Sequence, residues 1–388
     1  MANKFIPLSV PNLKGNEQKY VLKAIQDEWV STGGGFITEF ENVLAEYVHS
    51  AGAVACQSGT AGIHLSLIVN GVGKGDEVIV PALTFIAAVN PVKYVSAEPV
   101  FMDCDDTLCM DMDKVEHFFE NECKYENGKL INKKTEKQIK AMIVVHIFGN
   151  MANMEKAMLL ADRYNLIIIE DATEALGTYY TEGKYKGKFA GTIGDIGIYS
   201  FNGNKIITTG GGGMVVSNRK DLLNKVKYLS TQAKDDSLYY VHNEIGYNYR
   251  MTNIQAALGI AQMEKLEEFI EIKRNNYNKY INEGVRLLEF RNGIRPNYWF
   301  YSYITDKRDY MIKALSDEGI QSRPIWNLIC DLTPYKDCYK YKIERASYYW
   351  EKVVNIPCST GLTSDEVECV ISKIKCFEEK VKENDDVY

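Results

Sequence analysis

A single lysine, Lys205, stands among small residues in the run Ser200-Phe201-Asn202-Gly203-Asn204-Lys205-Ile206-Ile207-Thr208-Thr209-Gly210-Gly211-Gly212-Gly213. A solvated surface lysine has no need of such company. An amine that must meet a bound group does, because glycine lets the backbone approach closely. At its ordinary pKa of about 10.4 a lysine is a weak nucleophile and base near neutrality; condensation with an aldehyde cofactor removes that difficulty. Asp171 closes the apolar run Ile167-Ile168-Ile169-Glu170 and offers a carboxylate to a protonated ring nitrogen. Ser58-Gly59-Thr60-Ala61 leads from a short apolar run into a helix, where free N–H groups and hydroxyls suit a phosphate. Phe85 follows another apolar run and offers a flat face. Each has a plainer reading alone: Asp171 a cap, Ser200 a strand residue, Phe85 core, Lys205 a surface charge. Together they supply what pyridoxal 5′-phosphate requires.

These residues need elements to hold them. Val54-Ala55-Cys56 reads as a strand, and Ile63 to Val69 as the helix after the Ser-Gly-Thr turn. Strands and helices then alternate: Glu77 to Pro81, Phe85 to Val95, Pro99 to Asp103, Asp113 to Glu120, Met142 to Phe148, Met154 to Tyr164 and Leu166 to Asp171. Runs such as Ile143-Val144-Val145 imply burial on both faces, hence a mostly parallel sheet sandwiched by helices. Ligands of such sheets collect at strand C-terminal ends, where Asp171 and Thr60 fall. Asn121 to Lys140 interrupts the alternation as a surface excursion with an Asn127-Gly128 turn signal. Ile254 to Phe269 reads as one long helix bridging to an α+β section with Tyr298 to Ile304 as strand. Two domains are expected, a large one over 1–250 and a smaller one over 251–388.

Composition narrows the class. The 388 residues are 46% hydrophobic and 25% charged, as in a globular protein with ample core. A net charge of −7 gives no push towards nucleic acid or an anionic membrane surface. No apolar run approaches the roughly 18 residues of a membrane helix, and a cytoplasmic location is expected. The nine cysteines include no CxxC pair, which argues against a disulfide framework or a zinc site; no metal is expected.

In this order, Ser58-Gly59-Thr60-Ala61, Thr84-Phe85, Glu170-Asp171-Ala172-Thr173-Glu174-Ala175-Leu176-Gly177, Ser200 to Lys205 with the glycines after it, and Gly246-Tyr247-Asn248-Tyr249-Arg250-Met251 resemble the sugar aminotransferases of the DegT/DnrJ/EryC1/StrS family. The resemblance spans essentially the whole chain. It implies the α/β aminotransferase fold (fold type I) with a smaller C-terminal α+β domain, and pyridoxal phosphate as cofactor. Lys205 would carry the cofactor covalently, Asp171 face its ring nitrogen, and Phe85 stack on the ring. Thr60 and Ala61 would bind the phosphate through backbone N–H groups, with the Ser200 hydroxyl added. Asn248 would reach the phosphate of the other subunit's cofactor, making the protein a homodimer with shared sites. Glu174 departs from the glutamine of many members, near the cofactor's phenolic oxygen, and Asn202 from a common histidine. The version Asn202-Gly203-Asn204-Lys205-Ile206-Ile207-Thr208-Thr209-Gly210, with Leu8 to Asn12 and Gly15-Asn16-Glu17, is similar to the subgroup acting on UDP-linked 4-keto-6-deoxy-N-acetylhexosamines in legionaminic acid or bacillosamine synthesis. Ser31, Arg323 and Trp326 are the candidate substrate residues, the last two as charge and ring for a nucleotide. L-Glutamate is the expected amino donor.

Three rivals stand beside this reading. C3 amination of a dTDP sugar uses the same fold and cofactor. A cofactor-binding regulator would not need lysine, aspartate and ring together. A nicotinamide dehydrogenase would need a Gly-x-Gly-x-x-Gly opening a helix after an early strand, and none is present.

Overall fold

Val78, Ile79, Val80, Ile143, Val144, Ile168 and Ile169 are all fully buried, so the strands that carry them are covered on both faces. The computed structural model describes residues 5–385. Across the main sheet the strands run Ala53–Cys56, Gly213–Val216, Ile196–Ser200, Ile167–Asp171, Gln138–Val145, Asp76–Pro81, Glu98–Met102 and Lys340–Tyr341. Gly213–Val216 is antiparallel to both neighbours; the other pairs in this order are parallel. The two reversals cancel. Cys56, Ser200 and Asp171 therefore end on the same edge, where Cys56 and Ser200 each pair with Gly213. The expected α/β architecture, a mostly parallel sheet between helices, is the one observed.

Several elements differ from the sequence reading. The helix after the Ser-Gly-Thr turn begins at Gly59, four positions early, because Ser58 caps it by accepting from the Ala61 N–H at 3.1 Å. Phe85 to Val95 is a short 3₁₀ turn, Ile86–Ala88, followed by a helix, Asn90–Tyr94; Pro91 fits the first turn of a helix but no later position. The excursion before Lys140 is a hairpin, Cys123–Glu126 with Lys129–Asn132, turned by left-handed Asn127 and Gly128. It is joined to the sheet through Leu130 opposite Ile139. The long bridging helix is two, Asn253–Met263 and Leu266–Asn282. Between them Glu264 accepts from Asn16 Nδ2 at 2.7 Å and the Tyr20 hydroxyl at 2.5 Å, tying the break to the N-terminal helix Glu17–Gln26.

A three-stranded antiparallel sheet, Tyr301–Ile304, Val353–Ile356 and Arg323–Pro324, forms a second layer. The N-terminal segment joins it: Ile6 bridges to Ile320, and the Val10 N–H donates to Ser359 Oγ at 2.9 Å. Asp103, at the end of Glu98–Met102, accepts the N–H groups of Glu344, Arg345 and Ala346 and the Lys114 ammonium. It thereby caps the helix Arg345–Lys352 and fixes the C-terminal section to the main sheet. Among the described residues no helix is long and apolar enough to cross a membrane.

Candidate active site

The sheet edge where Cys56, Asp171 and Ser200 end opens into a cavity of about 370 Å³. Thr60, Phe85, Asp171, Glu174, Ser200, Lys205 and Trp326 all line it. Residues far apart in the chain thus converge on one space.

Its floor follows from strand alternation. Glu170 and Asp171 are neighbours on one strand and face opposite ways. Glu170 accepts from His146 Nε2 and from the N–H groups of Gly191 and Ile193, at 2.9, 2.9 and 2.6 Å, and so serves the turn behind the sheet. Asp171 faces the cavity, its Oδ1 accepting the Thr173 N–H at 3.1 Å. Burial pushes the Asp171 carboxyl above the usual carboxylate range, while Thr173, Lys205 and His146 pull against it.

The helix Gly59–Val69 starts at one wall. The N–H groups of Gly59 and Thr60 have no acceptor among the described residues, whereas that of Ala61 is taken by the Ser58 hydroxyl. The N–H groups open to an anion at this helix start are thus those of Gly59 and Thr60, while that of Ala61, expected beside Thr60, is engaged by Ser58. A Cβ on Gly59 would lie 2.9 Å from Thr173 Cγ2 and 3.2 Å from Ser200 Cβ. Only glycine lets this turn sit against both.

Lys205 projects from the loop after Ile196–Ser200 with its side chain 11% exposed. Its Nζ lies 3.6 Å from Glu174 Oε1 and 4.2 Å from the centroid of the Trp299 ring. The other Glu174 oxygen accepts the N–H of Phe148 at 2.8 Å, where the chain turns through a left-handed conformation. Burial lifts the Glu174 carboxyl to about 7, against the pull of Lys205 and the Phe148 N–H.

Trp326 connects two aromatic neighbours, its ring 5.9 Å from Phe85 and 4.9 Å from Phe148. Beyond it a second cavity of about 540 Å³ shares Thr84, Phe85, Asn204, Phe300 and Trp326 with the first and adds Arg323. Three expected site residues, Ala61, Ser31 and Asn248, line neither cavity. Ser31 is exposed, its carbonyl accepting the Asn253 N–H. Asn248 is exposed and outside both cavities, accepting from Gln232 Nε2 at 3.0 Å. Trp299 and Phe148 were missed, since an aromatic beside an apolar run reads as core from sequence alone.

The donor set fits a phosphorylated aldehyde of pyridine. It holds one amine, a buried carboxylate, a helix start with free N–H groups, and an exposed aromatic face at Phe85. A family model for the DegT/DnrJ/EryC1/StrS aminotransferases matches residues 11–375. The chain belongs to that family. Like other members of the DegT/DnrJ/EryC1/StrS aminotransferases, it is an enzyme that uses pyridoxal phosphate and acts on sugars. It is 38% identical to the GDP-perosamine synthase of Escherichia coli O157:H7, across 96% of this chain and 99% of that one. Identity is 29% to the UDP-4-amino-4,6-dideoxy-N-acetyl-beta-L-altrosamine transaminase of Campylobacter jejuni, across 97% and 98%. A putative sugar aminotransferase of Streptococcus pneumoniae, solved in its PLP form, superposes with a TM-score of 0.86 at 25% identity, covering 97% of this chain and all of that one. Among the described residues no group of three or more His, Cys, Asp and Glu could hold a metal ion.

Proposed function

We propose that this aminotransferase moves an amino group from L-glutamate to the keto carbon of a nucleotide-linked 4-keto-6-deoxy sugar. The observation that carries the reading is the shared wall of the two cavities. Lys205 and Asp171 line the first, Arg323 lines the second, and Phe85 and Trp326 line both. A reacting sugar in one and a charged nucleotide in the other match that arrangement.

When bound, pyridoxal phosphate supplies an electron-accepting ring through which an amino group leaves one carbon and joins another. The chain's residues do the rest. The N–H groups of Gly59 and Thr60 and the Ser200 hydroxyl bind the phosphate. Asp171 holds a proton on the ring nitrogen by placing a negative charge against it. Phe85 covers one face of the ring. Lys205 would carry the cofactor, and its free Nζ would move a proton as general base. Glu174 accepts or returns a proton beside that amine.

Two nucleotides compete for the second cavity. The Asn202-Gly203-Asn204 version of the lysine loop supports a UDP-linked N-acetylhexosamine. The 38% identity to a GDP-perosamine synthase, against 29% to the UDP-sugar transaminase, supports a GDP-linked sugar. Incubating the holoenzyme with glutamate and each keto sugar nucleotide, then reading 2-oxoglutarate and amino sugar by NMR, separates them. Product with one nucleotide alone names the substrate, and no product with either overturns the sugar reading.

Homodimerisation in the cytoplasm belongs to the same proposal. The hairpin Lys234–Asp236 with Val241–His242 and its flank expose Tyr239 at 76% and Ile245 at 85%, an apolar surface that a partner would cover. Asn248 lies just after it and is exposed, its Oδ1 accepting from Gln232.

A further inference from the structure

Trp299 makes contacts that a space-filling core residue does not need. Its ring lies against the Lys205 amine, and its indole N–H donates at 2.7 Å to the carbonyl of Asn204, the residue just before the lysine. One side chain therefore holds both ends of Lys205: the backbone it leaves from and the nitrogen it ends on. The platform is itself locked. The Trp299 N–H donates to Asn297 Oδ1 at 2.9 Å, its carbonyl accepts from the buried Lys273 ammonium at 3.0 Å, and Phe300 stacks 4.1 Å away. Asn297 also donates through Nδ2 to the carbonyls of Glu174 and Leu176, each at 2.9 Å. A single short segment thus fixes the ring beside Lys205 and the backbone of Glu174, the other neighbour of Nζ.

The ring is 2% exposed and its neighbours hold it in place, so it offers the Lys205 side chain a fixed flat face. A lysine stem otherwise samples many rotamers, and ordering it costs entropy. A fixed aromatic face restricts that sampling.

We propose that Trp299 is a positioning residue that seats the free amine of Lys205 for capture of the cofactor's aldehyde. The inference rests on Lys205 being the residue that carries the cofactor. In the capture step the neutral amine of Lys205 forms a double bond from Nζ to the aldehyde carbon, the carbon–oxygen double bond breaks, and the oxygen leaves as water with the two amine protons, so no oxidant or reductant takes part.

The test mixes purified apoenzyme with pyridoxal 5′-phosphate and follows, by stopped flow, the visible band that borohydride then fixes to the protein. W299L removes the face that orients the amine and should slow capture about tenfold. W299F keeps a flat face while losing the N–H, and should stay within about threefold of wild type. Affinity for inorganic phosphate, which senses the helix Gly59–Val69 and not Lys205, should be unchanged in both. Should leucine unfold the protein, W299M fills the space without a π face and carries the same expectation. Equal slowing in W299F and in the variant without a ring, or no slowing in the latter, overturns the platform. Peptide mapping of the reduced protein should find the label on Lys205, and K205A should form no band. A band that persists in K205A overturns the assignment of the lysine instead.

Discussion

Glu174 has one oxygen committed to the Phe148 N–H and the other turned towards Lys205. Its carboxyl stands near 7 in the folded chain because burial disfavours the charged form more than Lys205 and the Phe148 N–H favour it. Folding thus raises its affinity for a proton, and the folded chain stays protonated where the unfolded chain has lost its proton. Stability contributed by this group is highest at low pH and falls as pH rises from about 4.5 to about 7. E174Q keeps an acceptor for Phe148 and removes the titration. Melting the two apoenzymes across this range should show E174Q gaining steadily on wild type up to about pH 7 and no further. A constant difference throughout would show that Glu174 does not titrate there. Its position among acidic and small residues after Asp171 was legible in the sequence. Its second partner was not, because Phe148 comes from a different strand end.

At the scale of elements, the start of the helix Gly59–Val69 decides how closely an anion can sit against Ser200 and Thr173. G59A sets two effects against each other. Alanine in place of glycine in a helix is worth up to about 1 kcal/mol, but the new Cβ falls 2.9 Å from Thr173 Cγ2 and must displace it. Overpacking of that kind costs about 1–3 kcal/mol, so the net effect should be a modest loss. Urea unfolding should show that loss, and a cofactor titration should show weaker binding by about tenfold, because the displaced turn carries the free N–H groups. Tighter binding would mean that Thr173 yields without moving the turn. The alternation of strand and helix up to Asp171 was readable because buried parallel strands demand unbroken apolar runs. The helix start at Gly59 and the break at Glu264 were not, since each is marked by individual side-chain contacts, Ser58 with the Ala61 N–H in one case and Asn16 and Tyr20 with Glu264 in the other.

For the whole molecule, the exposed hairpin and the position of Asn248 bear on assembly. A K205A chain and an N248A chain, each impaired alone, give a decisive mixture. If Asn248 serves the other subunit's site, their heterodimer holds one site with both residues intact and should show up to half the wild-type turnover per dimer. If Asn248 serves its own chain, no intact site forms and turnover per dimer should be about half that of the N248A dimer. Co-expression with two affinity tags, followed by an assay of the doubly purified species, measures the difference. Sedimentation should give a dimer of the 44.0 kDa chain, and a monomer at assay concentration would remove the shared-site proposal.

The sequence by itself determined the alternation of buried strands with helices and the residue types that could do chemistry. Apolar periodicity is a local property, and an amine, a carboxylate and an anion-binding turn keep their chemistry wherever they are placed. Tertiary structure decided which groups stand beside which. Two antiparallel pairings bring Cys56, Ser200 and Asp171 to one edge. Trp299 meets Lys205 only because the Asn297–Trp299 segment, nearly a hundred residues further along, is held against Glu174 and Asn204. Contacts of that range depend on the packing of the whole chain, and no spacing in the sequence records them.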